Sequence, residues 1–575
     1  MGEVLGFLLL GTKSEKNLVI KTIKPLFLAV SLASIAFAQP SISDGGIVNA
    51  ASYANNNNPN GAIAQGSMFI VFGSGLGPTV LAQVSAYPLP TTLGGTSIKV
   101  TVGGTTVNAF MIYTLAGQVA AILPANTPVG SASITLTYNG ATSAPRTFNV
   151  VSSSFGTFSR NQQGTGPGIF QNVNSGTDQP VNSFVASAKP GQAIILWGTG
   201  LGPAPGNEAA GPIPGDLTSI PIEVYVGGKL ATVTYRGRSG CCSGIDQIVF
   251  TVPDGLDGCN VPVAVRVGGV TSSFTTLAVS RNGGTCSSLA SGSADDLAIA
   301  QRTGNFRRGS VVLAATAIKV DTGIPGFESI NAKFESGSGS FIKSTLDQVL
   351  ASSSAQDLSA GSCIVTPTGG ASTASDNVFG TTMDAGSVIN VSGPGGAKTL
   401  KKTTTGGIIA YSELFTDPAA FLTGGGSSYL VPGSYSVNNG SGGTDVGSFS
   451  GNLVVPPGLN WTNEASITTV NRANSLTITW TGGASDSTVG ISGYSAGTAK
   501  SGASFSCLAQ GNPGTFTIPA WVLSALPRTL PGTLGSSNGI LGVAITGVPV
   551  KFNASGLDFG ALLSLSFTGK GVNYQ

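Results

Sequence analysis

A glycine-rich motif occurs twice in this chain, 125 positions apart. Residues 66–78 read Gly-Ser-Met-Phe-Ile-Val-Phe-Gly-Ser-Gly-Leu-Gly-Pro, and residues 191–203 read Gly-Gln-Ala-Ile-Ile-Leu-Trp-Gly-Thr-Gly-Leu-Gly-Pro. Internal self-similarity of this kind indicates one structural unit used twice. The motif therefore predicts a domain duplication, and its spacing sets the length of chain that each unit needs.

Each copy of the motif is followed by short runs of β-branched and apolar residues. In the first copy, the runs at 97–102, 117–123 and 131–138 end at Gly-Gly, Pro and Asn-Gly. Short runs with such boundaries are typical of strands joined in hairpins. With 84 glycines, 31 prolines and 9% charged residues among 575, the chain is too rich in turn formers to be mainly helical and too apolar to be disordered. We predict an all-β protein in which each copy folds as a β-sandwich.

The N-terminus has the three-part pattern of a secretory signal. Lysines precede an apolar run at 26–35, and Ala36-Phe37-Ala38 then precedes Gln39. We expect cleavage between Ala38 and Gln39. Residues 1–15 fit a signal peptide poorly, which suggests that translation starts further along the chain than Met1. The apolar run is shorter than the roughly 20 residues that span a bilayer, and no later segment avoids Gly, Pro and charge for that length. We therefore expect an exported chain with no membrane span after cleavage.

Charge excludes one class of partner. Loss of residues 1–38 removes four lysines and two glutamates from 27 basic and 25 acidic residues, which leaves 23 of each and no net charge. Nucleic-acid binders concentrate positive charge to displace counterions from phosphates. We exclude nucleic acid as a partner. The sequence does not identify the partner, and a surface glycan or another protein is the kind that we consider.

Six cysteines in an exported chain predict disulfides. The candidates are Cys241, Cys242, Cys259 and Cys286 in the second copy, and Cys363 and Cys507 in the C-terminal half. The two C-terminal cysteines allow only one pairing between them, so we expect Cys363 to bond to Cys507. A bond between the adjacent Cys241 and Cys242 would close a strained ring, so we favour each of them bonding to one of the other two, in an order that stays open. A zinc or redox site is the alternative, although no Cys-x-x-Cys spacing and no histidine favours it.

Histidine is absent from the chain, which excludes Ser-His-Asp and Cys-His catalytic units and His-ligated metals. The segments 493–497 and 535–539 match Gly-x-Ser-x-Gly, but they lack a base and the surrounding α/β alternation of a hydrolase. The repeated glycines suggest a dinucleotide loop, yet Pro78 and Pro203 follow where that fingerprint must open a helix. We expect no enzyme, no cofactor and no metal site, and we interpret the glycines as turns.

The remaining candidate groups have a simpler structural interpretation. The aspartate pair at 295–296 is expected to be a solvated charge pair in a linker, and Asp-Gly-Leu-Asp-Gly at 254–258 is expected to be a turn because it lacks the ligand count of a calcium loop. Three tryptophans, Trp461, Trp480 and Trp521, could stack on sugars. An aromatic residue in a sandwich core is the more common arrangement.

The motif and its surroundings resemble a known family. The pattern Gly-x-x-x-x-apolar-x-Gly-x-Gly-Leu-Gly-Pro, followed by Val-Gly-Gly and a strand ending in Pro, resembles the immunoglobulin-like IPT/TIG fold. The segments 47–53, 93–95 and 241–247 resemble more closely a family of large secreted bacterial proteins of unknown function with tandem IPT/TIG-like domains. This resemblance implies tandem immunoglobulin-like β-sandwich domains followed by a β-rich C-terminal region of one or two further sandwich-like domains, and it implies no activity.

These observations predict the domain organisation. The expected units are a signal peptide at 1–38, sandwiches at 39–155 and 156–286, a linker at 287–300, and β-rich domains at 301–455 and 456–575. The last boundary lies at Pro456-Pro457, because two prolines interrupt a strand ladder. A short helix is expected at 520–526, with Pro519 at its first turn.

We therefore expect a non-enzymatic secreted modular protein with a structural or adhesive role at the cell surface or outside the cell. A carbohydrate-binding or enzyme-accessory protein is the alternative, and it requires exposed tryptophans. A glycoside hydrolase that uses two carboxylates is third, and it requires two acidic side chains about 5 to 10 Å apart in a cleft.

Overall fold

The protein is all-β, as the sequence predicts. The computed structural model describes residues 39–287, 293–324, 327–345, 348, 358–368, 380–417, 428–483, 487–498, 501–531 and 538–575. The expected signal peptide with Ala38, and most of the motif at 535–539, lie outside the described residues. Helical segments in the described part are α1 (Ala294–Thr303), a 3-10 turn (Glu464–Ser466) and α2 (Ala520–Leu523). Within these residues no helix is long and apolar enough to cross a membrane.

Residues 39–155, which we call module 1, form a sandwich of two sheets. Its strands are β1 (Ser41–Asn49), β2 (Ile63–Ala64), β3 (Met68–Ser74), β4 (Ala82–Gln83), β5 (Thr92–Leu93), β6 (Thr96–Val102), β7 (Thr105–Asn108), β8 (Phe110–Leu115), β9 (Gln118–Ile122), β10 (Gly130–Tyr138), β11 (Ala141–Thr142) and β12 (Arg146–Val151). One sheet has the order β1-β3-β9-β8-β4, and the other has the order β2-β12-β10-β6-β5 with β7 and β11 paired at its side. Alternate residues of β6, Ile98, Val100 and Val102, point into the core between the sheets.

Residues 156–286, module 2, enclose a similar core, but their strands form one continuous 10-stranded sheet in which β18 joins the two halves. The strands are β13 (Gly156–Thr157), β14 (Phe170–Asn172), β15 (Ala193–Thr199), β16 (Gly215–Asp216), β17 (Ile222–Val226), β18 (Lys229–Arg238), β19 (Asp246–Thr251), β20 (Gly258–Val267), β21 (Val270–Thr271) and β22 (Thr275–Val279). The first part of β18 pairs with β17 and the rest with β19, and its register shifts between Val233 and Tyr235. A bulge of this kind bends a strand, so β18 runs from one side of the core to the other.

The duplication holds down to strand register. Strand β3 pairs with β9 so that Phe72 is opposite Gln118, and β15 pairs with β19 so that Trp197 is opposite Gln247. The motif glycines follow β3 and β15, and no helix forms in residues 75–91 or 200–214, all of which the structure describes. The glycines therefore leave each strand through irregular turns, as expected.

The C-terminal region is dominated by one large sheet. Its strands up to residue 455 are β23 (Asn305–Ile324), β24 (Phe327–Thr345), β25 (Cys363–Thr368), β26 (Thr381–Thr382), β27 (Val388–Gly393), β28 (Gly396–Thr405), β29 (Ile408–Leu414), β30 (Gly433–Asn438) and β31 (Ser450–Val455). Those after it are β32 (Asn460–Trp461), β33 (Thr469–Val470), β34 (Leu476–Thr481), β35 (Thr488–Thr498), β36 (Ser501–Gln510), β37 (Thr515–Ile518), β38 (Gly539–Thr546), β39 (Val550–Lys551), β40 (Phe559–Gly571) and β41 (Asn573–Tyr574).

This sheet crosses the boundary that the two prolines at 456–457 predict. Strand β23 pairs in parallel with β40 over 12 residue pairs, for example Leu313 with Ser564. Both strands belong to one 14-stranded sheet. Residues 301–455 and 456–575 therefore share a sheet. Two cores lie against it, one around Phe341 and one around Trp480.

The predicted linker at 287–300 is helical from Ala294 onward, within α1. Ser293 and Asp296 form a reciprocal cap, because Ser293 N donates to Asp296 Oδ2 (2.8 Å) and Asp296 N donates to Ser293 Oγ (3.2 Å). A capping box of this type starts a helix. Asp296 also lies 3.6 Å from Lys551 Nζ, so it is not the free solvated charge that the sequence predicted.

The structure contains two disulfides, Cys259–Cys286 and Cys363–Cys507. The favoured bonding of Cys241 and Cys242 to the other cysteines of module 2 is therefore wrong, and both remain thiols. The reason is their position, since Cys259 and Cys286 pack with Phe306 of the C-terminal region whereas Cys242 packs with residues of module 1.

Candidate functional site at the module junction

Module 1 buries both faces of one sheet. The inward residues of β3, such as Phe69 and Val71, lie in the sandwich core, while Met68, Ile70 and Phe72 belong to a second cluster shared with module 2. A continuous apolar run is typical of a strand buried on both faces. The second copy of the motif is used in the same way, because Trp197 of β15 packs against this shared cluster.

Hydrogen bonds also cross the junction. The backbone N–H of Met68 donates to Thr199 Oγ1 (2.9 Å), and that hydroxyl donates to the carbonyl of Gly244 (2.6 Å). The Asn49 amide donates to the carbonyls of Ser154 and Thr199, both at 3.2 Å. Each of these polar groups is buried, and a buried polar group without a partner is costly. The bonds therefore fix one relative position of the two modules.

A buried charge cluster lies beside these contacts. The side chains of Arg238, Asp246 and Glu208 are only 2%, 0% and 4% exposed. Arg238 Nη1 donates to Asp246 Oδ1, and Nη2 lies 3.4 Å from Glu208 Oε1. The same Nη2 donates to the carbonyl of Gly202 in module 2 (2.7 Å) and to that of Gly66 in module 1 (2.9 Å). One guanidinium thus links both copies of the glycine motif.

Backbone donors complete the cluster. Leu201 N donates to Asp246 Oδ2 (2.7 Å), and Ala125 N of module 1 donates to Glu208 Oε2 (3.1 Å). Burial raises the pKa of Asp246 and of Glu208, and the charge of Arg238 opposes the shift. Because the cluster holds its charges out of water, its stability depends on every member being present.

The loop between β18 and β19 carries the two thiols onto this junction. Ser239 N donates to the carbonyl of Ile245 (2.9 Å), which closes the loop. Gly244 has φ +74°, and a Cβ there would come within 2.8 Å of Ile122 in module 1. Glycine is the residue that adopts this backbone conformation without strain. The loop therefore packs tightly against β9.

A cavity of about 260 Å³ opens beside the loop. Its wall includes both thiols together with Met68, Leu89 and Tyr113 of module 1 and Ile245 of module 2. Tyr87, which also lines it, accepts a hydrogen bond from Ser243 N at 3.1 Å. The cavity is mainly apolar, and the sulfur atoms are its chemically reactive groups.

The two thiols have different acidities. Cys241 Sγ lies 2.9 Å from Ser239 Oγ, and both cysteines are half-buried. The hydrogen bond with Cys242 lowers the pKa of Cys241 to about 6, against an opposing effect of burial, and Ser239 contributes to the lowering. The same hydrogen bond and burial raise the pKa of Cys242. The thiolate is the nucleophilic form of cysteine, so Cys241 is the reactive member. In the described part of the chain, no group of three or more His, Cys, Asp or Glu side chains is placed to hold a metal ion.

This acidity predicts the pH dependence of alkylation. Because the thiolate fraction rises with pH, the rate of iodoacetamide addition to Cys241 should have its midpoint near pH 6 and level off above it. An ordinary thiol has its midpoint at about pH 8.5. Peptide mass spectrometry of protein with both thiols reduced gives the profile. The variant Ser239→Ala removes one hydrogen bond and should move the midpoint upward; a wild-type midpoint above pH 8 would contradict the assignment.

The other sequence candidates occupy structural positions. Ser495 of the Gly-x-Ser-x-Gly match is fully buried in β35, and its hydroxyl donates to the carbonyl of Pro527 (2.9 Å). Asp257 of the 254–258 segment lies 3.8 Å from Arg281. Among the residues that the structure describes, Asp257 belongs to no group of three or more side chains placed to hold a metal ion.

The three C-terminal tryptophans do not form a shared exposed platform. Trp461 and Trp480 are buried in the core beside β34. Trp521 is half-buried and stacks on two rings of module 2, with its ring centroid 4.3 Å from that of Tyr225 and 5.7 Å from that of Phe274. Trp521 thus belongs to the contact between module 2 and the C-terminal region.

The fold defines an all-β protein that contains tandem β-sandwich modules. No protein-family model and no curated protein matches the chain. One similar solved structure is the plexin A4 extracellular region, with 12% identity over 44% of this chain and 19% of that chain and a TM-score of 0.16. A second is a tetra-tandem repeat from the extending region of a large adhesion protein, with 12% identity over 92% of this chain and 98% of that chain and a TM-score of 0.13. A third is SGBP-B of the Bacteroides ovatus mixed-linkage glucan utilization locus in complex with a heptasaccharide, with 13% identity over 39% of this chain and 46% of that chain and a TM-score of 0.19.

These similarities are too distant to carry an argument about function. The chain spans less than half of the plexin and SGBP-B chains that it matches.

Proposed function

We propose that this is a non-enzymatic secreted protein whose IPT/TIG-like modules form a stiff unit with a structural or adhesive role at the cell surface or outside the cell. The observation that carries the proposal is the buried charge cluster of Arg238, Asp246 and Glu208, which also binds the backbone of module 1. Rotation of one module against the other would separate buried charges from their partners, at a cost of several kcal/mol. A fixed junction suits a protein that holds other groups at a set distance.

Three further observations support this role. The two disulfides suit an oxidising compartment outside the cytoplasm. The sequence pattern at residues 26–39 is typical of a signal peptide that directs export. The chain contains no histidine and Ser495 is buried, so the Gly-x-Ser-x-Gly match at 493–497 has neither a histidine base nor an accessible hydroxyl.

The test is deletion and complementation of the gene in the organism that makes the protein. We expect the mature chain to begin at Gln39, to be cleaved by protease added to intact cells, and to be required for attachment of cells to a surface or to one another. Retention inside the cell with residues 1–38 intact would overturn the secreted role. Unchanged attachment after deletion would overturn the structural and adhesive role.

The stiffness of the junction is tested separately by small-angle X-ray scattering of the mature chain. The wild type should fit one arrangement of modules 1 and 2, whereas Arg238→Met should need a broader set because one guanidinium no longer links them. The variant Arg266→Met is the control, since its partner Glu223 is in the same module and exposed. A wild type that already needs many arrangements would overturn the stiff unit.

A further inference from the structure

We propose that Cys241 and Cys242 form a reversible thiol–disulfide site at the module junction, which a small-molecule disulfide oxidises to a bond between the two adjacent residues and which a small thiol reduces again. The site is distinct from the two structural disulfides. It would be a covalent modification site inside the cavity described above, and it does not depend on the proposed adhesive role.

Accessibility separates these thiols from the other cysteines. The four bonded cysteines are each 3% exposed or less, whereas Cys241 and Cys242 are half-buried and line a cavity of about 260 Å³. A cavity of this volume has room for a small reagent. Reactivity of cysteine requires both access and thiolate character, so the position of the pair supplies the first requirement.

The surroundings of Cys241 supply the second requirement. Its sulfur has the Ser239 hydroxyl at 2.9 Å and the neighbouring thiol as hydrogen-bonding partners. The titratable groups that line the cavity with it are Cys242, Tyr87 and Tyr113, and burial raises the pKa of Tyr113 so that it stays neutral. Among the described residues that line the cavity there is no carboxylate to repel a thiolate.

The reaction balances as two exchange steps. The Cys241 thiolate attacks one sulfur of the small disulfide, so a mixed disulfide forms and one thiolate leaves. Cys242 loses its proton to solvent and its sulfur attacks Sγ of Cys241, which forms the bond between the two residues and releases the second small thiol. The protein loses two electrons, which the small disulfide gains. Reduction by a dithiol runs through the same steps in reverse.

The bond should be reversible because it is strained. It closes a small ring that contains the peptide bond between the two cysteines, and that peptide bond resists distortion from planarity. Strained disulfides are more easily reduced than relaxed ones and are the ones that serve as labile sites.

Oxidation would also be felt at the junction. Forming the bond draws Cys241 Sγ away from Ser239, and the same loop holds Tyr87 through Ser243 N. The Ser243 hydroxyl donates to the carbonyl of Glu208 at 2.9 Å. The loop therefore connects the thiol pair to the cavity wall and to the charge cluster.

The experiment counts thiols in the purified full mature chain. The protein is treated with excess glutathione disulfide, then alkylated with iodoacetamide and mapped by mass spectrometry without reduction. We expect the peptide with residues 241 and 242 to be unalkylated and about two mass units lighter than its dithiol form. Brief treatment with dithiothreitol without denaturant should restore two alkylation sites there and none at the other four cysteines.

Two single variants make the test specific. With glutathione disulfide, Cys242→Ser should stop at a stable mixed disulfide on Cys241, and Cys241→Ser should react at least about tenfold more slowly because the remaining thiol lacks the more acidic partner. Free alkylation of both cysteines after oxidant, a stable double adduct of glutathione on the wild type, or a bond between two chains would each overturn the proposal. Circular dichroism of both variants checks that they are folded.

Discussion

Replacing Arg238 with methionine will lower the free energy of unfolding by about 3 to 5 kcal/mol, because Asp246 and Glu208 are then left buried without a counter-charge. Methionine keeps much of the volume of arginine, so the loss reports mainly on charge and hydrogen bonding. The backbone carbonyls of Gly66 and Gly202 lose their donor at the same time. The loss should appear as faster hydrogen–deuterium exchange in peptides of β3 and β15, which meet at this cluster.

The matched control is Arg266→Met. Arg266 Nη1 lies 2.9 Å from Glu223 Oε2, yet these side chains are 37% and 41% exposed. Exposed ion pairs contribute less than about 1 kcal/mol. Because a chain with several folded units does not unfold in one step, exchange by peptide is a safer measurement than a single melting temperature. Equal effects of the two substitutions would show that the cluster does not hold the junction.

Replacing Gly66 with alanine should destabilise the junction by about 3 kcal/mol, the sum of backbone strain and overpacking. Gly66 has φ +72°, and a Cβ there would contact the Arg238 guanidinium and the Glu208 carboxylate directly. These charged groups have little room to move, since they are buried and bonded to each other. The new methyl group would therefore separate the ion pair.

The duplication provides the control for this variant. Gly191 occupies the same place in the second copy of the motif and has φ +78°, but a Cβ there would meet no atom within 4 Å. Gly191→Ala should therefore show the strain alone, about 1 to 2 kcal/mol. Hydrogen–deuterium exchange and urea unfolding of the two variants give the difference. If Gly191→Ala proves as harmful as Gly66→Ala, contact with the charge cluster is not what constrains Gly66.

The local features of the fold could be predicted from sequence. The repeated motif predicts the apolar strands β3 and β15. It also predicts that the strands that begin near Gln118 and Gln247 occupy corresponding places in the two copies. The helix expected at 520–526 forms as α2 over its first residues, because Pro519 and the apolar spacing are local signals. The start of α1 was missed although Ser293 and Asp296 have the spacing of a capping box.

Features that depend on distant contacts could not be predicted. Nothing near Pro456 indicates that β40 will pair with β23, more than 200 residues earlier in the chain. The pairing of Cys259 with Cys286 likewise depends on which face of module 2 each cysteine occupies. The sequence contained one indication of the charge cluster that was not used. Charged residues are rare in this chain, at 9%, yet Arg238 and Asp246 lie at the adjoining ends of two neighbouring strands, where their side chains can meet.

The parallel pairing of β40 with β23 sets the order in which this chain can be completed. Strand β23 begins at residue 305 and pairs first with β24, and it obtains its second neighbour only after residue 559 has been synthesised. Until then one side of a 20-residue strand is an open edge, and open edges invite pairing with other chains. A chain cut short before Phe559 would consequently aggregate, even though modules 1 and 2 were already folded.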